Sequence, residues 1–212
     1  MPTNLFLIRH GETLSNIELI YQGQTGDSDL SELGVKEGQE LARGLKNQKF
    51  DAIYSSTLKR SIRTAGFIAD GHGLQVAQVP ELKERYYGVF EGLRFEVIKQ
   101  KYPELYETWL THPDKAIIPK AETLEQLQKR GVEAVEKLLA KHTGGNICVV
   151  GHGAINRTIL FHYMNLTLDN FWRIKQDNCC VNLIEIDKHP IVILLNSTWF
   201  LGEKRISRLS VY

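Results

Sequence analysis

Two short apolar runs, far apart in the chain, end the same way. Leu5-Phe6-Leu7-Ile8 enters Arg9-His10-Gly11, and Ile147-Cys148-Val149-Val150 enters Gly151-His152-Gly153. An unbroken apolar run of this length that stops at charge and glycine reads as a strand buried on both faces. Such strands belong to parallel sheets flanked by helices, which keep their ligand sites at the carboxyl ends of the strands. Both imidazoles are therefore expected at one sheet edge. For a single Arg-His pair, a strand-end cap and a surface ion pair would be an adequate account. The second His-Gly in the same context weighs against it.

The stretches between these runs alternate in kind. Glu12 to Tyr21 reads as a helix with Thr13 or Ser15 near its cap, followed by a polar loop at Gln22 to Asp29. Glu32 to Asn47 is expected as a helix, then Ala52 to Tyr54 as a strand and Leu58 to Ala69 as a helix. Leu74 to Val79 reads as a strand stopped by Pro80. From Glu81 to Lys120 aromatic and charged residues mix, and Phe95 to Trp109 reads as helical. Thr123 to Lys141 is a long amphipathic helix, with Leu124, Leu127, Val132, Val135 and Leu138 inward. Ala154 to Tyr163 follows as a helix, then strands at Cys180 to Ile186 and Ile191 to Leu195. This alternation predicts an α/β fold, a three-layer α/β/α sandwich with a mostly parallel central sheet and a small helical cap. It is read as a single domain over residues 1–212, with 81–120 as an inserted cap.

Composition narrows the function. At 212 residues with 42% hydrophobic and 24% charged residues, the chain resembles an ordinary globular protein. A formal net charge of +1 gives no global field toward nucleic acid or a membrane. No apolar stretch approaches the ~18 residues of a membrane span, and the first residues lack the basic start of a signal peptide. Cys148, Cys179 and Cys180 are odd in number and form no Cys-x-x-Cys. A disulfide framework and a zinc site are therefore not expected, and a cytoplasmic location is.

The expected sheet edge collects chemistry. Beyond His10 and His152, the second strand ends in Tyr54-Ser-Ser-Thr-Leu-Lys-Arg60, which puts Arg60 one turn into a helix, where anions bind well. Asn16 can donate an amide to the same anion, or cap its own helix. The third strand runs out toward Glu84, with Glu81 close by. Glycine after each histidine lets the backbone turn and its N–H groups face a ligand, Gly153 among them. Two arginines, two histidines and an asparagine suit a tetrahedral dianion, with one carboxyl left over. Flanking cations favour a neutral, nucleophilic imidazole and match charge on phosphoryl oxygens.

Four segments carry a family resemblance: Leu7-Ile-Arg-His-Gly-Glu-Thr13, Ser55-Ser-Thr-Leu-Lys-Arg60, Leu82-Lys-Glu-Arg-Tyr-Tyr-Gly88 with Glu91-Gly92, and Val150-Gly-His-Gly153. Together, in this order, they resemble the histidine phosphatase superfamily, in the branch with cofactor-dependent phosphoglycerate mutases and small bacterial phosphatases. The resemblance implies that His10 becomes phosphohistidine, that Arg9, Arg60 and His152 bind the phosphoryl oxygens with Asn16 assisting, and that Glu84 is the proton donor. Ala121-Glu122-Thr123 stands where phosphatases of this branch often have Gly-Glu-Ser, which leaves the role of Glu122 open. Gln22, Gly23 and Tyr87 are candidate substrate contacts, though a polar loop and aromatic packing account for them as well. Tyr21, Tyr86 and Trp109 are further candidates of that kind.

The expected activity is metal-independent hydrolysis of a small phosphomonoester metabolite, with no cofactor. Phosphoserine, phosphoglycerates, sugar phosphates and α-ribazole phosphate all fit. Mutases of the branch it resembles usually carry a longer insertion between the Glu and the second His, and no basic, Pro-rich insertion is seen between Glu84 and His152, which favours a phosphatase; the mutase and a non-catalytic phosphate-binding module are the alternatives. No nucleic-acid or membrane partner is expected. Ile191 to Leu195 is either a homodimer edge or sheet core, and the basic tail with Lys204, Arg205 and Arg208 is expected to be solvated.

Overall fold

The computed structural model describes residues 1–201; the basic tail lies outside them. Strands form where the apolar runs were. They are β1 (Thr3–Arg9), β2 (Ala52–Ser55), β3 (Val76–Gln78), β4 (Asn146–Gly151), β5 (Val181–Ile186) and β6 (Ile191–Ser197). They make one sheet in the order β3-β2-β4-β1-β5-β6. β1 pairs parallel with β4, β4 with β2, and β2 with β3, while β5 runs antiparallel to both β1 and β6.

The sheet is covered on both faces, as buried strands require. Helices α2 (Glu32–Leu45) and α3 (Lys59–His72) lie on one face, where Leu41, Leu45, Ala65 and Ile68 pack against Phe6, Ile8, Ile53 and Val150. Helices α6 (Leu124–Lys141) and α7 (Gly153–Tyr163) lie on the other, where Leu127, Val135, Ile155 and Ile159 meet Leu5, Leu7, Ile147 and Val149. Alternate residues of one strand thus enter different cores, as the pleat dictates. The chain goes to opposite faces after β1 and after β4, which are hydrogen-bonded neighbours. A crevice opens at such a switch point, beside the carboxyl ends of both strands.

Three local expectations are corrected. The helix after β1 spans only Leu14–Ile17 (α1) rather than Glu12 to Tyr21. A capping box between Thr13 and Asn16 starts it, and Leu19 at φ 55° turns the chain away. The stretch Phe95 to Trp109 is two helices, α4 (Phe95–Lys101) and α5 (Pro103–Thr111), because Pro103 removes an N–H and pushes Tyr102 out of helical geometry at ψ 56°. The third strand is trimmed to Val76–Gln78. Both new helices pack on the α6/α7 face through Ile98, Tyr106 and Trp109. β6 is an end strand whose outer face exposes Ile191, Ile193 and Leu195, so these three are not sheet core. Among the described residues no helix is long and apolar enough to cross a membrane.

Candidate active site

The register puts Arg9 opposite Gly151, and the His10 N–H donates to the Gly151 carbonyl at 3.2 Å. His10 and His152 therefore leave neighbouring strands at the same level. Their ring centroids are 5.1 Å apart, tilted by 59°. His10 Nδ1 lies 2.7 Å from the Gly11 carbonyl oxygen. A carbonyl only accepts, so Nδ1 carries the proton and Nε2 holds the free lone pair. Arg60 Nε donates to His152 Nδ1 at 3.2 Å, which leaves the other proton on His152 Nε2, 2.7 Å from Ser56 Oγ. Burial, then the charges of Arg60 and Arg9, hold His10 well below 6.5. Burial, then Arg60, His10 and Arg9, do the same for His152. Both rings are neutral at pH 7.

Arg60 is buried at 1% exposure and fixed at three points. Besides His152 it donates to the Gly23 carbonyl at 2.8 Å and to Asp27 at 3.3 Å. Thr64 Oγ1 ties it in place, donating to the Arg60 carbonyl at 2.8 Å while accepting from the Gly11 N–H at 3.1 Å. Arg9 is anchored by one terminal nitrogen on the Gln176 carbonyl, and its Nε has no partner among the described residues. Glu84 sits at the mouth of α7. Its carboxylate accepts from Ala154 N at 3.1 Å, Ile155 N at 3.2 Å and its neighbour Arg85 N at 2.8 Å. These donors are the positive end of a helix, which suits a carboxylate. Gly153 lies between Arg9 and Glu84: a Cβ there would be 3.6 Å from Arg9 Nε and 3.8 Å from Glu84 Oε2. Arg9, His10, Arg60, Glu84 and Gly153 all line one open cleft.

The model of the histidine phosphatase superfamily (branch 1) matches residues 5–198. The chain belongs to that superfamily. It is 34% identical over 200 residues to phosphoserine phosphatase 1 of Hydrogenobacter thermophilus, covering 94% of each chain. It is 38% identical over 168 residues to a metal-independent phosphoserine phosphatase of Arabidopsis thaliana, covering 78% of this chain and 69% of that one. Among solved structures, YhfR of Bacillus stearothermophilus superposes with a TM-score of 0.87 at 30% identity, covering 91% of this chain and 96% of that one.

In this histidine phosphatase the remaining expected residues divide. Asn16 takes part in the capping box, where its amide oxygen accepts from Thr13 N at 3.1 Å, and it also lines the cleft. Gln22, Gly23 and Tyr87 line the cleft too. Gln22 is held by Thr13 Oγ1. Gly23 is left-handed at φ 54°, and a Cβ there would lie 1.9 Å from Glu91 Oε1, so only glycine brings its carbonyl to Arg60. Tyr21 joins the lining, whereas Tyr86 and Trp109 do not. Glu122 is no cleft residue: it pairs with Arg130 at 2.6 Å and its carbonyl accepts from Arg85 Nε at 2.8 Å.

Several residues were not singled out from the sequence. Ser56 stood inside the quoted Ser55 to Arg60 segment, and Phe95 and Trp172 add aromatic walls to the cleft. Arg157, also in the cleft lining, had a visible signal: it is the one Lys, Arg, Asp or Glu on α7, five residues past His152. Arg130, which supports the Glu84 loop, had none.

Proposed function

We propose that this chain is a metal-independent phosphatase that hydrolyses small phosphomonoesters through a phosphohistidine on His10. The reading rests on one observation: a neutral imidazole with its Nε2 lone pair free shares a cleft with two guanidiniums and a carboxyl group. The Nε2 lone pair attacks phosphorus, the P–O ester bond breaks, and Glu84 gives its proton to the leaving oxygen. Water then attacks phosphorus, Glu84 takes a proton from it, and the P–N bond breaks to restore His10. Arg9 and Arg60, with the Asn16 amide and the Gly153 N–H, hold the phosphoryl oxygens and match the charge that spreads over them, while His152, whose one N–H faces Ser56 Oγ, orients Arg60 from behind rather than binding an oxygen itself. Positive charge from guanidinium takes the place a metal ion fills elsewhere. Gln22, Gly23 and Tyr87 bound the leaving group.

The proposal treats residues 1–212 as one domain in which 81–120 is a cap, since that segment supplies Glu84, Tyr87 and Phe95 to the cleft wall. Three free, buried cysteines suit a reducing cytoplasm. It also places a second copy of the chain on β6; a monomer in sedimentation velocity at micromolar concentration would remove that part.

The test is release of phosphate from p-nitrophenyl phosphate in excess chelator, with acid quenching to trap labelled phosphoenzyme. His10→Ala should abolish both the label and turnover, by about 10³-fold or more. Turnover that survives in His10→Ala, or needs an added divalent ion, would refute the reading. Because His10 is neutral well below 6.5, kcat/KM should not fall as pH drops from 7 to 6 on account of this ring. A 3-phosphoglycerate interconversion assay serves as the mutase control.

A further inference from the structure

We propose that Arg157 forms a second anion subsite in the cleft, and that the substrate is a phosphomonoester carrying a carboxylate close to the ester. This rests on the phosphatase reading above and adds the substrate class to it.

Arg157 is on the second turn of α7, 8% exposed, and lines the same cleft as Arg9, His10 and Glu84. Its Nε donates to the Ile174 carbonyl at 2.7 Å. Its guanidinium carbon lies 5.1 Å from the Phe171 ring centre and 4.9 Å from that of Trp172. Two aromatic contacts and one hydrogen bond thus fix the plane of the fork. Among the described residues it enters no ion pair within 4.0 Å, and the Ile174 carbonyl is the one hydrogen-bond acceptor its side chain meets. Burial, then the charge of Arg9, pull its pKa down to about 10, which still leaves it cationic at pH 7. A buried cation beside a like charge, with Glu84 acting on it at longer range and no carboxylate paired to it, is costly to maintain.

Charge counting says what relieves it. A phosphoryl dianion is matched by Arg9 and Arg60, with the Asn16 amide and the Gly153 N–H as neutral donors. A third guanidinium has no share of that charge, so the ligand must bring another. A planar fork with two free terminal nitrogens fits a carboxylate in a bidentate pair. Tyr21, Tyr87, Phe95 and Trp172 wall the cleft, so the carboxylate must sit on a short scaffold near the ester.

The experiment measures kcat/KM for matched pairs that differ only at that group: O-phosphoserine against O-phosphoethanolamine, and 3-phosphoglycerate against glycerol 3-phosphate. The native enzyme should prefer the carboxylated member by about 10- to 100-fold, the scale of one charged hydrogen-bonded contact. In Arg157→Gln that ratio should collapse toward one, mainly through KM. Arg157→Lys keeps the charge without the fork and should retain only part of the preference, and it replaces the glutamine variant if the latter does not fold. A native ratio near one for both pairs would overturn the proposal without any variant. So would a ratio unchanged by either substitution, or a strong preference for a bisphosphate over the carboxylated monoester. Failure to hydrolyse any of the four esters would instead refute the phosphatase reading itself.

Discussion

Ser56 decides which way the second imidazole faces. It is fully buried, and its hydroxyl oxygen accepts from the Leu58 N–H at 3.2 Å while meeting His152 Nε2 at 2.7 Å. With Arg60 on the opposite ring nitrogen, His152 is held at both ends and cannot swing about its side-chain bond. Ser56→Ala removes one end and leaves a buried N–H with no acceptor, at a cost of about 1–3 kcal/mol. We expect a lower denaturation midpoint of that order and a kcat reduced about tenfold, equivalent to ~1.4 kcal/mol of the barrier, with KM little changed. Ser56→Thr keeps the hydroxyl and should recover most of the kcat. Equal loss in both variants would mean that packing around position 56, rather than the hydrogen bond to His152, carries the effect.

At the scale of elements, Glu84 is carried by a segment with little regular structure of its own, so something else must hold it. A long helix does so from one side. Arg130 of α6 donates to the carbonyls of Lys83 at 2.8 Å and Glu84 at 3.0 Å, and also to that of Glu81, while Glu122 grips its other edge at 2.6 and 2.8 Å. Arg130→Met should free three carbonyls and one mostly buried carboxylate. The expected loss is about 2–3 kcal/mol of stability, with kcat reduced more than phosphate affinity, because the proton donor and not the anion shell is loosened. Unchanged kcat with lowered stability would confine Arg130 to a structural role. Contacts of this kind also mark the limit of reading from sequence. The strands were legible because unbroken apolar runs can only be buried, and the histidines because glycine and charge follow those runs. The break at Pro103 was legible too, but the aromatic pattern across it obscured a simple steric rule. Glu122 was visible only as a departure from a motif, since its partner sits on α6 and the carbonyls it helps position lie some forty residues earlier. The single turn of α1 was hidden for another reason: Thr13 and Asn16 satisfy each other locally and stop a helix that periodicity would extend.

For the whole molecule, a crevice between two strands means that two imidazoles are desolvated beside two cations in the native state and solvated in the unfolded one. Their unfolded value is about 6.5, and both lie well below it when folded, through burial first and the arginines second. Between those limits the unfolded chain takes up protons that the native chain refuses. Falling pH therefore draws the equilibrium toward unfolding, and above about 7 the rings contribute nothing to the slope. Each ring should add about 1.4 kcal/mol per pH unit to the loss of stability below 6.5. Denaturant titrations from pH 7.5 to 5.0 measure this directly. His10→Asn and His152→Asn should each remove about that much from the slope, and the double variant nearly twice as much, whatever their own stability at pH 7.5. Saturating inorganic phosphate binds only the native state and brings negative charge to both rings, so it should raise stability and flatten the slope together. A native protein whose stability is level across this range, or whose slope survives in the double variant, would mean that the two rings titrate as freely in the cleft as in water.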